Sequence, residues 1–196
     1  MERGLILKKG TIVDSTIISA PSSTKNKEKK RDPDAHQVKK GNTWHFGYKA
    51  HIGVDRDSGL VHTVEATAAN VHDATETSKR LTGDEDEVYG DSGYLGAEKR
   101  GDAIIRNKAG RKIKYRINRR PSQVKKLSKS GQYAAKKAEH AKSSVRAKVE
   151  HAFGVVKKQL RFRKTRYRGL EKQRAKFNIM FALANLILAD RPCLAA

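Results

Sequence analysis

A chain of 196 residues, 37% apolar and 33% charged, is long enough for one domain with a real core and short for two. A formal charge of +22, with pI ≈ 10.2, calls for a polyanionic partner. No apolar run approaches the roughly 18–20 residues of a membrane span, no signal-peptide pattern opens the chain, and the one cysteine, Cys193, excludes an internal disulfide or a cysteine-based zinc site. A reducing, cytoplasmic setting fits.

GTIVDSTII (10–18) reads as a strand of mostly β-branched residues with an aspartate in its middle. The polar, lysine-rich stretch 19–43, with Pro21, Pro33 and Gly41, reads as a long loop. Residues 44–55 and 60–69 read as a hairpin turning at Asp57-Ser58-Gly59, and 73–81 as a short helix with Asp73 as its N-cap. VYGDSGY (88–94) is a short strand entering a glycine turn, 96–110 a helix and 112–118 another strand. Residues 119–142 are basic and poor in apolar side chains, so loop and exposed helix both fit; helices follow at about 143–163 and 171–189. This order predicts a mixed α/β sheet flanked by helices, in one domain spanning 1–196.

The charge is divided unevenly. Residues 1–105 hold 16 Lys/Arg against 17 Asp/Glu, whereas 106–196 hold 27 against 4. A solubility effect would spread evenly, so the basic part, 106–176, is expected to face nucleic acid. The apolar segment within 177–189 is a core or dimer helix, too short to span a membrane.

Three carboxylates stand out. Asp14 lies among Ile12, Val13, Ile17 and Ile18, where burial is costly unless the charge is paired or metal-bound. Asp91 follows a strand end and is flanked by Gly90 and Gly93, which let a ligand approach the backbone. On a helix, Arg146, Glu150 and Lys157 fall within an arc of roughly 40°, beside the apolar face of Val145, Val149, Phe153, Val156 and Leu160. Each admits a plainer reading when taken alone: a strand aspartate bonded to an amide, a turn aspartate, a surface Arg–Glu pair. Asp73 is the rival carboxylate, and helix capping accounts for it. Trp44, His45, His51 and His62 read as packing or satisfied side chains of the hairpin.

Ordered blocks along the chain resemble those of insertion-sequence transposases of the DDE class, most closely the IS-five-type group of the IS-four-like superfamily. The carriers are GTIVDSTIISAPSSTKNKEKKRDPD (10–34), KKGNTWHFGYKAHIGVD (39–55), TAANVHD (67–73), YGDSGYLGAEKR (89–100), RAKVEHAFGVVKKQ (146–159), RYRGLEK (166–172) and FALANL (181–186). The resemblance implies a ribonuclease-H-like fold with Asp14, Asp91 and Glu150 as catalytic, metal-binding carboxylates. It implies Mg²⁺ or Mn²⁺ as cofactor, two ions, and no small-molecule cofactor. Transposon ends and target DNA would be the partners, with a homodimer as the active form and no membrane. Arg146 and Lys157 match the family's Tyr-x2-Arg-x3-Glu-x6-Lys signature, whose tyrosine position holds Ser143 here. Arg166, Arg168 and Lys172 are the expected further phosphate contacts. Members usually carry an additional N-terminal region, so a truncated chain is expected, acting in the bacterial cytoplasm and on the nucleoid when bound to DNA. A DNA-binding remnant and a nuclease of the same fold are the alternatives.

Overall fold

The structure is a computed structural model and describes residues 9–190; Cys193 lies outside the described residues. Its organising element is the strand β1 (Gly10–Ser19), where a run of β-branched residues favours extended backbone. β1 pairs along its length, antiparallel, with β3 (Thr43–Asp55), placing Asp14 opposite Ile52 and Ser15 opposite His51. The turn after β3 closes because Asp55 Oδ1 accepts from the amides of Asp57 and Ser58, and Gly59 takes φ +73°. β4 (Val61–Ala68) then returns along the other edge of β3. β2 (His36–Lys40), a short strand within the stretch expected as loop, pairs the first residues of β3.

On the far side of β1, β5 (Glu87–Gly90) runs parallel to it, and β6 (Lys114–Ile117) runs parallel to β5. Among the described residues these six strands form one mixed sheet. The helices are α1 (Pro121–Lys125), α2 (Lys129–Gly154) and α3 (Leu170–Ala189), with a π turn at Val155–Gln159 extending α2. The expected mixed α/β sheet flanked by helices is present, and it is compatible with a ribonuclease-H-like arrangement. The ambiguous stretch 119–142 is mostly exposed helix: Ser128 caps α2 by accepting from the amide of Gly131.

Two apolar clusters hold the layers. The larger joins Ile12 and Ile18 of β1 and Tyr48, Ile52 and Val54 of β3 to Val149 and Phe153 of α2 and to Phe177 and Phe181 of α3. In α3 the buried residues Phe177, Met180, Phe181 and Ala184 follow helical spacing. Asn185 locks α3 to β4, donating to the Val61 carbonyl and accepting from its amide. The smaller cluster, Val13, Val88, Tyr94, Ile113 and Ile117, covers the opposite face of β1 and β5.

The helix expected at 96–110 does not form. Only Ala97–Lys99 make a 3₁₀ turn, and Gly96 and Gly110, with φ +86° and +76°, bend the chain on either side. The helix expected at 73–81 is two 3₁₀ turns, Asp73–Glu76 and Ser78–Arg80, and the capping side chain is that of His72, not Asp73. Trp44 is 63% exposed, so it does not pack into the hairpin as expected.

No helix among the described residues is long and apolar enough to cross a membrane.

Candidate active site

Strand alternation puts Asp14 on the face of β1 that carries Ile12, Thr16 and Ile18, turned towards α2. Its Oδ1 accepts from the amide of Ser15 at 2.7 Å, and its Oδ2 lies 3.4 Å from Nη2 of Arg146 on α2. Burial pushes the Asp14 carboxyl up to about 6; the Ser15 amide and Arg146 pull it back, whereas the charges of Asp91 and Glu150 add to the rise. Asp14 thus lies within electrostatic reach of two carboxylates far from it in sequence, Asp91 and Glu150.

The three are held differently. Asp91 follows β5 and caps the 3₁₀ turn Ser92–Tyr94, its Oδ1 accepting from the amide of Gly93 at 2.8 Å. A Cβ at Gly93 would meet that same oxygen at 2.9 Å, so the glycine is what lets the turn close against the carboxylate. Glu150 is exposed on α2 and makes no hydrogen bond or ion pair among the described residues. By contrast, the other acids of α2 and α3 are paired: Glu139 with Lys142 and Glu171 with Arg174. An unpaired carboxylate on a strongly basic helix is open to a cation.

Hard oxygen donors suit Mg²⁺ or Mn²⁺, which bind through one or two carboxylates plus phosphate oxygens and water. Among the described residues, no group of three His, Cys, Asp or Glu side chains is arranged to hold one ion. The carboxylates suit such a cation by donor type and charge, and any shell around it would need oxygens from elsewhere, such as phosphate.

Arg146 bridges Asp14 to Asn118 at the end of β6, with 3.5 Å from Nη1 to the amide oxygen, and its buried Nε has no acceptor. Ser143, at the position where a tyrosine was expected, accepts from the same Asn118 amide group. Lys157 lies in the π turn, where Leu160 donates to the carbonyl of Val155, five residues back. Burial, together with Lys40 and Arg163 nearby, lowers the Lys157 ammonium, and Glu150 opposes the shift. Arg166 and Lys172 are exposed. Arg168 is already committed, donating to Glu28 and to the carbonyl of Lys30.

Behind β1 lies a network that sequence reading did not foresee. Asp73 Oδ1 accepts from Ser15 Oγ at 2.7 Å and from Lys49 Nζ at 3.1 Å. Burial opposes ionisation, but the Ser15 hydroxyl and Lys49 hold the Asp73 carboxyl below the usual range. His51, fully buried, donates to or accepts from Thr67 Oγ1 through Nε2 at 2.8 Å. Burial and then Arg80 pull its imidazole down to about 3, so it is neutral and its 3.6 Å approach to Asp73 is no ion pair. Arg80, wholly buried, lies over the Tyr94 ring at 5.7 Å and donates to the Asp73 carbonyl. These groups brace, from the rear, the strand of Asp14 and the turn of Asp91. In the sequence, NVHD (70–73) draws attention to Asp73, but nothing beside it points to Ser15, Lys49 or His51.

Residues 6–186 match the family model described as the transposase DDE domain. No solved structure matches the chain.

Proposed function

The chain belongs to the transposase DDE domain family, and on that footing we propose that it is an insertion-sequence transposase of the IS-five-type group, cleaving DNA at the element's ends and joining them to a target. The observation that carries this reading is the place of Asp14, 3.4 Å from Arg146 on a strongly basic helix and within electrostatic reach of Asp91 and of Glu150, carboxylates from two other elements. Asp14, Asp91 and Glu150 would hold two Mg²⁺ or Mn²⁺ ions, assisted by substrate phosphates. Bound ions supply Lewis-acid polarisation of the scissile phosphate and an acidified water.

The protein's own part is placement. The Ser15 amide fixes one oxygen of Asp14, whose second oxygen faces Arg146 at 3.4 Å, and the Gly93 amide fixes one oxygen of Asp91, leaving its second for ligation. Arg146 steadies Asp14 and offers its fork to a phosphate, while Lys157, in reach of Glu150, offers a point charge. Residues 106–176 form the DNA-facing part of a single catalytic domain, with Arg166 and Lys172 as free phosphate contacts and Arg168 as a tether for the segment around Glu28. A homodimer is the proposed active form: Ile179, Leu183 and Leu186 make an exposed apolar stripe on α3, suited to a second copy. The setting is the bacterial cytoplasm, on the nucleoid when DNA is bound.

Glu150→Gln keeps size and hydrogen bonding but removes the charge that holds a hard cation. It should abolish Mg²⁺- or Mn²⁺-dependent nicking of element ends while leaving DNA affinity equal or slightly higher. Nicking that survives the substitution would overturn the glutamate assignment. DNA binding without any divalent-dependent cutting by the unaltered protein would favour a binding-only role.

A further inference from the structure

At the carboxyl end of β1, some distance along the strand from Asp14, a groove of about 790 Å³ opens between the end of the π turn and α3. It is lined by Arg161, Arg163, Lys164, Arg166, Lys176 and Tyr167 among others, and no carboxylate contributes to its wall. Such a surface attracts a polyanion. Its construction is rigid. The loop is strapped to the catalytic strand by the Ser19 amide donating to the Arg163 carbonyl and the Thr165 amide donating to Ser19. Gln173, fully buried, accepts from Thr165 Oγ1 and donates to the Tyr167 carbonyl, both at 2.6 Å. Arg161 is held at φ +54°, a region that non-glycine residues seldom occupy.

This bracing turns Tyr167 outwards: its backbone is fixed, yet the residue is 56% exposed and its hydroxyl has no hydrogen bond among the described residues. A second exposed ring borders the same end of the sheet. Trp44, the chain's one tryptophan, sits opposite Lys39 on the β2–β3 hairpin, and the neighbouring Lys40 is in electrostatic reach of Lys157 together with Arg163. Cations interleaved with open aromatic rings suit an unpaired strand, whose bases have free π faces, better than a duplex, whose bases are stacked on one another.

We propose that this end of the sheet holds an unpaired segment of the DNA strand that passes the carboxylates, with phosphates on Arg161, Lys164 and Arg166 and bases stacked on Tyr167 and Trp44. The strap between Ser19 and the loop then couples the position of that segment to the strand bearing Asp14. The inference rests on the transposase reading for its choice of DNA, but its test needs no catalysis.

The full chain is titrated, with divalent cations chelated, into a labelled thymidine oligonucleotide of about twelve nucleotides and into a duplex of equal length, and anisotropy is read. Tyr167→Ala and Trp44→Ala should each weaken binding of the single strand by about tenfold while changing duplex binding by less than about twofold. Tyr167→Phe should bind the strand as the unaltered protein does. The strand should also quench the emission of Trp44, and Glu150→Gln should leave all of these results in place. Both rings are exposed, so a circular-dichroism melt of each variant should match that of the unaltered protein. An alanine effect below about twofold on the single strand, or an equal loss on the duplex, overturns the proposal. Loss of nicking in Glu150→Gln, or its absence from the start, bears on the metal site alone.

Discussion

On the α2 side of β1, Asp14 keeps a carboxyl pushed up to about 6, with Arg146 a loose 3.4 Å away and two further carboxylates in reach. On the reverse side of the same strand, one residue later, Ser15 donates at 2.7 Å to an Asp73 that Lys49 and Ser15 hold below the usual range. The two carboxylates are of one type and near one strand, yet their surroundings oppose each other. One face gathers negative charge and leaves it under-compensated, as the proposed cation site requires; the other neutralises its charge and ties the strand to its neighbours. A site of this kind is destabilising on its own, so it needs a well-bonded layer behind it.

That contrast is open to attack by substitution. Asp73→Ala should have the largest effect, a loss of about 3 kcal/mol in urea unfolding at pH 7, because Lys49 and Ser15 lose their acceptor in a mostly buried place. A loss below about 1 kcal/mol would show that the rear network contributes no more than a surface pair. Asp14→Asn should act in the opposite direction. A carboxyl raised from 3.8 to about 6 favours the folded state below pH 4, and that contribution is lost as pH rises through 6. At pH 8, without metal, the asparagine variant should therefore be more stable by about 2 kcal/mol, with the gain vanishing near pH 4.

His51 sharpens the same comparison through acid. Its folded pKa of about 3 lies below the ordinary 6.5, so its contribution is present above pH 6.5 and is lost as pH falls. Between pH 6.5 and 4 the rear face should lose up to about 1.4 kcal/mol per pH unit, a slope that His51→Gln should remove from the stability–pH curve. The smallest effect belongs to Ser15→Ala, about 1 kcal/mol for one hydrogen bond, measured in the same urea series.

The front face was easier to read in the sequence than the rear. An aspartate inside GTIVDSTII and a glycine-flanked aspartate after a strand are local anomalies, and the Arg–Glu–Lys spacing is a helical pattern. The hairpin, β5, β6, the C-terminal part of α2 and α3 were equally legible, since each is declared by its own periodicity and turn residues. Asp73 was not: a residue at the start of a helical turn looks like a cap, and nothing local shows that its carboxylate reaches a serine 58 positions earlier. Arg80 and Gln173 were hidden as well, since a lone polar residue in a helical turn gives no sign that it is buried, here against Asp73 and Tyr94 and against Thr165 and Tyr167. The misread helix at 96–110 failed on backbone grounds, because Gly96 and Gly110 impose left-handed turns that helical composition does not reveal. Residues 129–142 have too few apolar side chains to show a helical face, although the segment is helical.

The most direct test of the shared carboxylate site is Mn²⁺ binding to the full chain in the presence of an element-end duplex, followed by the loss of the free-ion signal in electron paramagnetic resonance. Asp14→Asn, Asp91→Asn and Glu150→Gln should each weaken that binding strongly, whereas Asp73→Asn, on the rear face, should leave it close to that of the unaltered protein. Equal Mn²⁺ binding by the unaltered protein and all three front-face variants would contradict a common site for Asp14, Asp91 and Glu150.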